Sequence, residues 1–263
     1  MTAWSVVRAR HGDAEEIARL LATVVPPHLL DLTIWGSPLF YRYCQDSLQS
    51  VERATPRFYV LSSDGAIGGV ISLRHIDGQI LLDTTYVIPA LRAQYLSMLL
   101  IHEAVTQECL RAPASLVAWD VFSGRPRLEA WHRTLGGREE SCKGWWLRRP
   151  GLPNSGNATG VSFAGLAEAD EQHARWGFSS FEARTSSGTY RIGRLPGRAF
   201  RITDARAAAD QCLLASLSEL DAEGRVLLMG PVEPPDSTWS ELVSLKRYVA
   251  PFETFTAALG EYL

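Results

Sequence analysis

Long apolar runs are missing from the sequence. No stretch approaches the roughly 18 apolar residues a spanning helix needs, so a membrane protein is not expected. The opening Met-Thr-Ala-Trp-Ser-Val-Val-Arg has no apolar export core. Cysteine is sparse and scattered: Cys44, Cys109, Cys142 and Cys212 form no C-x-x-C pair, which excludes the common zinc patterns and a thioredoxin-like motif. With no export signal to favour disulfides, the four read as reduced thiols of a soluble cytoplasmic protein. An excess of one charge is lacking too. Lys and Arg total 26 against 29 Asp and Glu, a net charge of −3. The nearest approach to a basic stripe is Arg125, Arg127, Arg133 and Arg138, which Glu129, Glu139 and Glu140 offset, so no nucleic acid partner is expected. There is no Walker loop and no G-x-G-x-x-G after a strand. Gly160–Gly165 makes no hydrolase elbow. His102-Glu103 lacks the second His of a zinc helix, and His11, His28 and His173 are isolated, so no metal is expected.

What is present suits a globular enzyme-sized chain. The 263 residues are 46% hydrophobic and 21% charged, and eight of them are Trp. That composition excludes disorder and fibrous repeats and allows one large domain or two small ones. Trp4–Arg10 reads as a strand. Asp13 followed by Glu16 resembles a capping box, with Ile17, Leu20 and Leu21 at helical spacing behind it. Pro26-Pro27 stops that helix, and residues 29–51 form a second helical region. Strands over Phe58–Ser63, Ile67–Arg74 and Gln79–Val87 are separated by Asp64-Gly65 and Asp77-Gly78, which predicts an antiparallel meander with tight turns. An amphipathic helix over Ala93–Arg111, a strand over Ser115–Phe122, a helix over Leu128–Leu135 stopped by Gly136-Gly137, and a strand over Ser141–Arg148 complete this part.

Pro150–Asn157 is turn chemistry throughout and places the boundary between domains at 1–149 and 158–263. Beyond it, strands are predicted over Thr189–Arg194 and Ala199–Thr203. A helix over Ala205–Leu220 follows an Asp204 cap, then a strand over Val226–Met229, and helices over Trp239–Tyr248 and Phe252–Leu263. That order echoes the middle of the first half and suggests a degenerate repeat without a shared motif.

One stretch carries chemistry. Val87-Ile88-Pro89-Ala90-Leu91-Arg92 ends a strand and opens a helix. The first N–H groups of a helix lack intrahelical acceptors and sit at the positive end of its dipole, which suits a phosphate. This Val-x-Pro-x-x-Arg junction, in its order of strand, helices, three-strand meander, helix, strand, helix and strand, resembles the GNAT superfamily of coenzyme A-dependent N-acyltransferases over about residues 4–148. A second match lies at Glu129–Arg138, similar to the late family helix, with His132 at the position of its frequent Tyr.

The resemblance implies an α/β (α+β) fold, with a mixed, mostly antiparallel sheet flanked by helices and a smaller α/β C-terminal domain. It implies acetyl-coenzyme A or another acyl-coenzyme A as co-substrate, with no metal, and a small-molecule or peptide amine as acceptor. Tyr86, Val87, Arg92, Ala93, Gln94, Tyr95, Leu96 and Ser97 would hold the pyrophosphate end. Here Ala93, Tyr95 and Ser97 stand where the family usually has glycine. His132 would be the acid that reprotonates the leaving thiolate. Asp83, a carboxylate among Leu81, Leu82 and Tyr86, would be the base, and alternation sets it on one face with Thr85 and Val87. Trp35, Phe40 and Tyr41 fall where the family caps its acceptor cleft, and aromatics at helical spacing equally suit a packed core. Two alternatives keep the fold: an acyl carrier protein as the thioester donor, met by Arg92, Arg111, Arg125 and Arg127, or a catalytically inactive binding or regulatory module whose site Tyr95 blocks. The second half has no such signature and is expected to bind no cofactor.

Overall fold

The computed structural model describes residues 4–50, 55–148, 160–230, 233 and 236–263. The expected linker lies outside these residues except at its surroundings. In the first part of the chain come β1 (Ser5–Arg8), α1 (Ala14–Leu21), α2 (Pro27–Leu30), α3 (Phe40–Gln49), β2 (Arg57–Ser63), β3 (Ala66–Ile76), β4 (Gln79–Val87), α4 (Leu96–Arg111), β5 (Leu116–Phe122), α5 (Pro126–Thr134) and β6 (Arg138–Arg148). The second part holds β7 (Ser162–Ala164), α6 (Leu166–Trp176), β8 (Ser179–Thr185), β9 (Gly188–Leu195), β10 (Ala199–Ile202), α7 (Ala205–Ala209), α8 (Gln211–Leu220), β11 (Arg225–Gly230), β12 (Trp239–Pro251) and α9 (Phe252–Gly260).

These elements form two compact units that interleave along the chain. Unit 1 comprises Met1–Pro26, Tyr41–Ser141 and Lys246–Leu263; unit 2 comprises Pro27–Phe40 and Cys142–Leu245. The division therefore differs from 1–149 and 158–263. The chain end joins unit 1 because α9 buries Phe255 and Leu259 in the same core as Trp119 and Leu100. Gly197 N–H in turn donates to Asp31 O at 3.0 Å within unit 2.

In unit 1 the meander forms as its turn residues require. Asp64 and Gly65 have φ of 49° and 81°, and Asp77 and Gly78 have 49° and 75°. Two positive φ values in succession match the right-handed twist of the strands they join. β2 pairs antiparallel with β3, β3 with β4, and β4 pairs parallel with β5. On α4, Leu100, Ile101, Ala104 and Val105 are buried and join Ile71, Leu73 and Val117 in one core. Each fully buried Leu or Val of that kind contributes about 1.5–3 kcal/mol. The stripe ends at Glu108, buried but satisfied by Tyr59 Oη at 2.8 Å and by Arg111.

Unit 2 repeats the sequence of elements. β8, β9 and β10 pair antiparallel in turn, and β10 pairs parallel with β11 across the helices α7 and α8. Its core gathers Phe181, Ile192, Phe200, Leu213 and Leu228.

Four expectations need correction. The predicted helix over Trp239–Tyr248 is strand β12. Its Val243, Tyr248 and Val249 suit a pleated surface, and in unit 1 its end lies beside β5, where Arg247 grips Asp120 of that strand with two bonds of 2.6 Å. The helix expected over Ala93–Arg111 starts only at Leu96, after a 3₁₀ turn over Pro89–Gln94. The region 29–51 is α2, a 3₁₀ turn over Ile34–Gly36, and α3. Ala205–Leu220 is two helices, because Asp210 takes an extended conformation and caps α8 by accepting from Leu213 N–H at 3.0 Å. β7, α6 and β8 were not anticipated.

None of the four cysteines forms a disulfide. Among the described residues no helix is long and apolar enough to cross a membrane.

Candidate functional site

The parallel ladder between β4 and β5 runs from Gln79↔Leu116 to Leu82↔Trp119. Beyond it β4 continues to Val87 and β5 to Phe122. The ladder ends beside an irregularity in β4. Its register with β3 passes from Leu73↔Leu82 to Ser72↔Thr84, leaving Asp83 as the extra residue of a bulge. A bulge bends its strand and re-aims a side chain, here at the point where the two parallel strands part. It also resets the alternation. Thr85 and Val87 lie opposite Ile71 and Gly69 and keep one face, whereas Asp83, opposite no residue of β3, falls out of that alternation, so the single shared face expected for the three does not hold.

Asp83 is held by Arg74 of β3, with Nε to Oδ2 at 2.7 Å and Nη2 to Oδ1 at 2.5 Å. Burial raises the Asp83 carboxyl above its ordinary value and the Arg74 contact works against it; burial prevails. Tyr43 of α3, Asp120 of β5 and Arg247 of β12 act electrostatically on the same pair. Two ion pairs, Arg74–Asp83 and Arg247–Asp120, thus flank the parting strands within unit 1.

The turn after β4 is tightly seated. Ile88 N–H donates to Gly68 O at 2.9 Å. A Cβ on Gly68 would come within 2.4 Å of Leu91 and 2.7 Å of Trp4, so only glycine lets the turn sit there. Arg92 folds back on its own strand: its Nε donates to Val87 O at 2.9 Å and its guanidinium lies 5.4 Å from the Tyr86 ring centre. Tyr95 is the hinge between the 3₁₀ turn and α4. It has φ 56° and ψ 9°, the left-handed conformation that favours glycine, and the residue is 57% exposed. Its carbonyl accepts from Met98 and Leu99 N–H, so the helix is properly started behind it. The backbone shape that glycines would supply is therefore kept, and the ring projects outward. Leu96 and Ser97 open a 16-residue helix, and their N–H groups, unlike those of Met98 and Leu99, have no acceptor within it.

His132 lies on α5 within an aromatic group. Its Nδ1 accepts from Trp119 Nε1 at 2.9 Å, and its ring centre is 5.7 Å from that of Tyr248. Indole is only a donor, so the imidazole carries its hydrogen on Nε2. Burial pushes the ring down to about 4, so at neutral pH it is uncharged. Trp119 also stacks on Tyr248 at 6.0 Å and meets Phe255 at 5.0 Å. The start of α5 is fixed by Glu129, which accepts from Gly124 N–H and from Lys246 Nζ at 2.9 Å.

Unit 1 brings together Asp83, Tyr86, Val87 and the 92–97 turn along β4 and its continuation. His132 is placed against Trp119, the last residue of β5 in its ladder with β4. Among the proposed acceptor residues, Phe40 is 2% exposed and packs against Phe178 at 6.3 Å, so it is a core residue of unit 2. Trp35 is half-buried in unit 2; Tyr41, in unit 1, accepts from Arg42 Nε at 3.1 Å. The residues not anticipated are Arg74, Trp119, Lys246, Arg247 and Tyr248. Arg74 had a signal: it faces Leu81 across the Asp77-Gly78 hairpin, diagonal to Asp83. The others act through β12, which was read as a helix. Among the described residues no group of three metal-binding side chains gathers.

Comparison with solved structures decides the fold. A tandem GNAT protein from the clavulanic acid biosynthesis pathway superposes with a TM-score of 0.63 at 13% identity, over 95% of this chain and 99% of that one. The chain has a GNAT fold. A GCN5-related N-acetyltransferase from Sphaerobacter thermophilus matches at 0.61 and 12% identity, over 95% and 96%. An acetyltransferase structure from Pyrococcus horikoshii matches at 0.56 and 11% identity, over 94% and 89%. The GNAT likeness therefore extends over both halves, including the second, whose sequence carries no such motif. No protein-family model and no curated protein matches the sequence.

Proposed function

We propose that the chain is an N-acyltransferase that moves an acetyl or other acyl group from coenzyme A to an amine of a small molecule or peptide. The observation that carries this reading is the junction at Tyr95. A non-glycine residue holds the left-handed conformation, its ring faces outward, and the first turn of α4 is left open. Those N–H groups, with Gln94 and the neighbouring backbone, suit the pyrophosphate of coenzyme A. When bound, coenzyme A supplies an acyl thioester open to direct attack by an amine. In this chain Asp83 receives the proton that the attacking ammonium must lose, directly or through a water. Arg74 keeps that carboxylate oriented, and burial keeps it basic enough to accept. His132, neutral and protonated at Nε2, would donate a hydrogen bond to the departing sulfur, and the second proton that the acceptor nitrogen gives up as the amide forms would leave with that sulfur as the thiol; an imidazolium acid does not suit a ring held at about 4.

Calorimetric titration with acetyl-coenzyme A, on wild type and Tyr95→Gly, tests the reading. Wild-type binding with a Kd of order 10 μM, a favourable free energy of about 7 kcal/mol, is the expected result. Binding by the variant alone would assign Tyr95 the role of a plug and favour a non-catalytic or carrier-protein reading. Binding by neither would discard the phosphate turn. An amine panel, followed by thiol release, then reads turnover.

A further inference from the structure

Unit 2 contains a cavity of about 290 Å³ that the acyl-transfer reading does not use. Its floor is Phe181 of β8 and Phe200 of β10, edge to face at 6.3 Å. Leu166 of α6 and Leu220 of α8 extend the apolar lining, and Leu220 is 44% exposed at the rim. The rest of the rim is charged in both senses. Arg194 of β9 pairs with Asp170 of α6, and Arg198 pairs with Asp221 and Glu223. His173 of α6 lines the same cavity near Arg194 and Asp170, and its Nδ1 is buried without a hydrogen-bond partner.

Three features define an occupant. The volume lies at the lower edge of the roughly 300–1,000 Å³ typical of ligand pockets, which favours a small molecule. The aromatic floor favours an apolar or aromatic group, edge on or stacked. The rim balances two arginines with carboxylates, so an ion of one sign would meet its repulsive partner as well as its attractive one. The Arg194–Asp170 contact uses only Nη1 and Oδ1. That leaves the Nε–Nη2 edge of the guanidinium for a carboxylate and Oδ2 of Asp170 for an ammonium. The unpartnered Nδ1 of His173 adds one more polar position beside them.

We propose that this cavity binds a small zwitterion with an apolar or aromatic side chain, of the α-amino acid class. The carboxylate lies on Arg194, the ammonium on Asp170, and the side chain on Phe181 and Phe200. The site is contained within unit 2 and stands whether or not the turn of unit 1 holds coenzyme A.

The test is titration of the full chain with L-phenylalanine by calorimetry or ligand-observed NMR. Phenethylamine, 3-phenylpropanoate and glycine, which lack the carboxylate, the ammonium and the side chain in turn, are the controls. The expected result is a Kd below about 1 mM for L-phenylalanine, with each control at least about tenfold weaker. Leu220→Trp, which fills the rim from an exposed position, and Arg194→Met each abolish the binding. Both variants keep the wild-type far-ultraviolet spectrum. Should one of them fail to fold, the other alone decides. No binding of L-phenylalanine at 10-fold that concentration overturns the proposal. So does equal affinity for phenethylamine or 3-phenylpropanoate, or binding that survives in the folded variants.

Discussion

The two units place a helix after the last strand of their meanders, and they finish that helix in opposite ways. In unit 1 the first turn of α4 follows Tyr95, no side chain caps it, and the helix runs 16 residues. In unit 2 the helix after β10 runs five residues, and its first turn is closed by its own sequence: Asp204 accepts from Arg206 N–H at 2.8 Å and is in turn gripped by the Arg206 guanidinium. That contact holds the Asp204 carboxyl below its ordinary value, so the group at the helix start stays negative. A carboxylate there already takes what a phosphate would take and repels the phosphate as well. β10 also has no carboxylate to correspond to Asp83: it reads Ala199-Phe200-Arg201-Ile202. One scaffold thus carries an open junction with a buried acid beside it, and a closed junction without one. The fold alone does not make a site; these few residues do.

The largest expected effect comes from making β4 resemble β10 in charge. Asp83→Asn keeps the bonds to Arg74 in part and removes the proposed proton acceptor. Turnover is expected to fall by about 10²-fold or more, the usual range for loss of a general base. The affinity for acetyl-coenzyme A, read by calorimetry, should not move. Wild-type kcat/KM should rise with pH as Asp83 ionises, at a pH above the ordinary carboxylate range because burial raises this group. The variant should lose that limb. Unchanged turnover in Asp83→Asn would remove Asp83 from the mechanism and leave only the open junction to distinguish the units.

A second effect sets the imidazole of unit 1 apart. The His132 ring is pushed down to about 4 by burial, against an ordinary value near 6.5. The unfolded chain therefore binds the proton first as pH falls. The native state loses stability through the window from about 6.5 down to about 4, by up to about 3 kcal/mol at its foot, reduced by the ring's partial exposure. Urea unfolding at pH 7 and pH 5 reads this directly. His132→Gln should flatten the dependence while weakening the link to Trp119 Nε1.

How far the sequence spoke for these units follows from where the forces act. The meander of unit 1 was legible because Asp-Gly fixes both turns locally. The Val-x-Pro-x-x-Arg junction was legible because its residues are contiguous. β12 was not, since Lys246 and Arg247 bond to Glu129 and Asp120, more than a hundred positions upstream. Its apolar spacing therefore suited a helix as well as a strand. The bulge at Asp83 was hidden because registers depend on pairing rather than on composition. Whether Tyr95 obstructs the turn or points away from it stayed open in the sequence, because no local pattern reveals the positive φ that this residue holds. In unit 2 the Asp204 cap was read, and the second cap at Asp210, which breaks the helix in two, was missed.

Transferring the closure of unit 2 to unit 1 sharpens the comparison more gently. Ser97→Asp places a carboxylate in the first turn of α4. Acetyl-coenzyme A affinity should fall by about tenfold or more as phosphate and carboxylate repel, a loss near 1.4 kcal/mol. The fold itself should gain about 0.3–1 kcal/mol, since an acid at a helix start is favourable. The opposite signs separate a lost ligand from a damaged helix. A variant that binds as tightly as wild type would place the phosphate elsewhere.

The smallest effect concerns Tyr95 alone. A residue with a Cβ pays roughly 1–2 kcal/mol to hold the left-handed conformation, and Tyr95, 57% exposed, recovers little of that by burial. Glycine adopts φ 56° freely, yet it gives up about 0.5–1 kcal/mol of chain entropy on folding. The strain relieved exceeds the entropy lost, so Tyr95→Gly should stabilise unit 1 by about 0.5–1 kcal/mol in urea unfolding at pH 7, where His132 is mostly neutral in both states. A clear loss of stability instead would mean that the tyrosine ring contributes packing beyond its exposed face. The open junction would then be maintained by that side chain rather than in spite of it, and the contrast with Asp204 would become one between two kinds of cap.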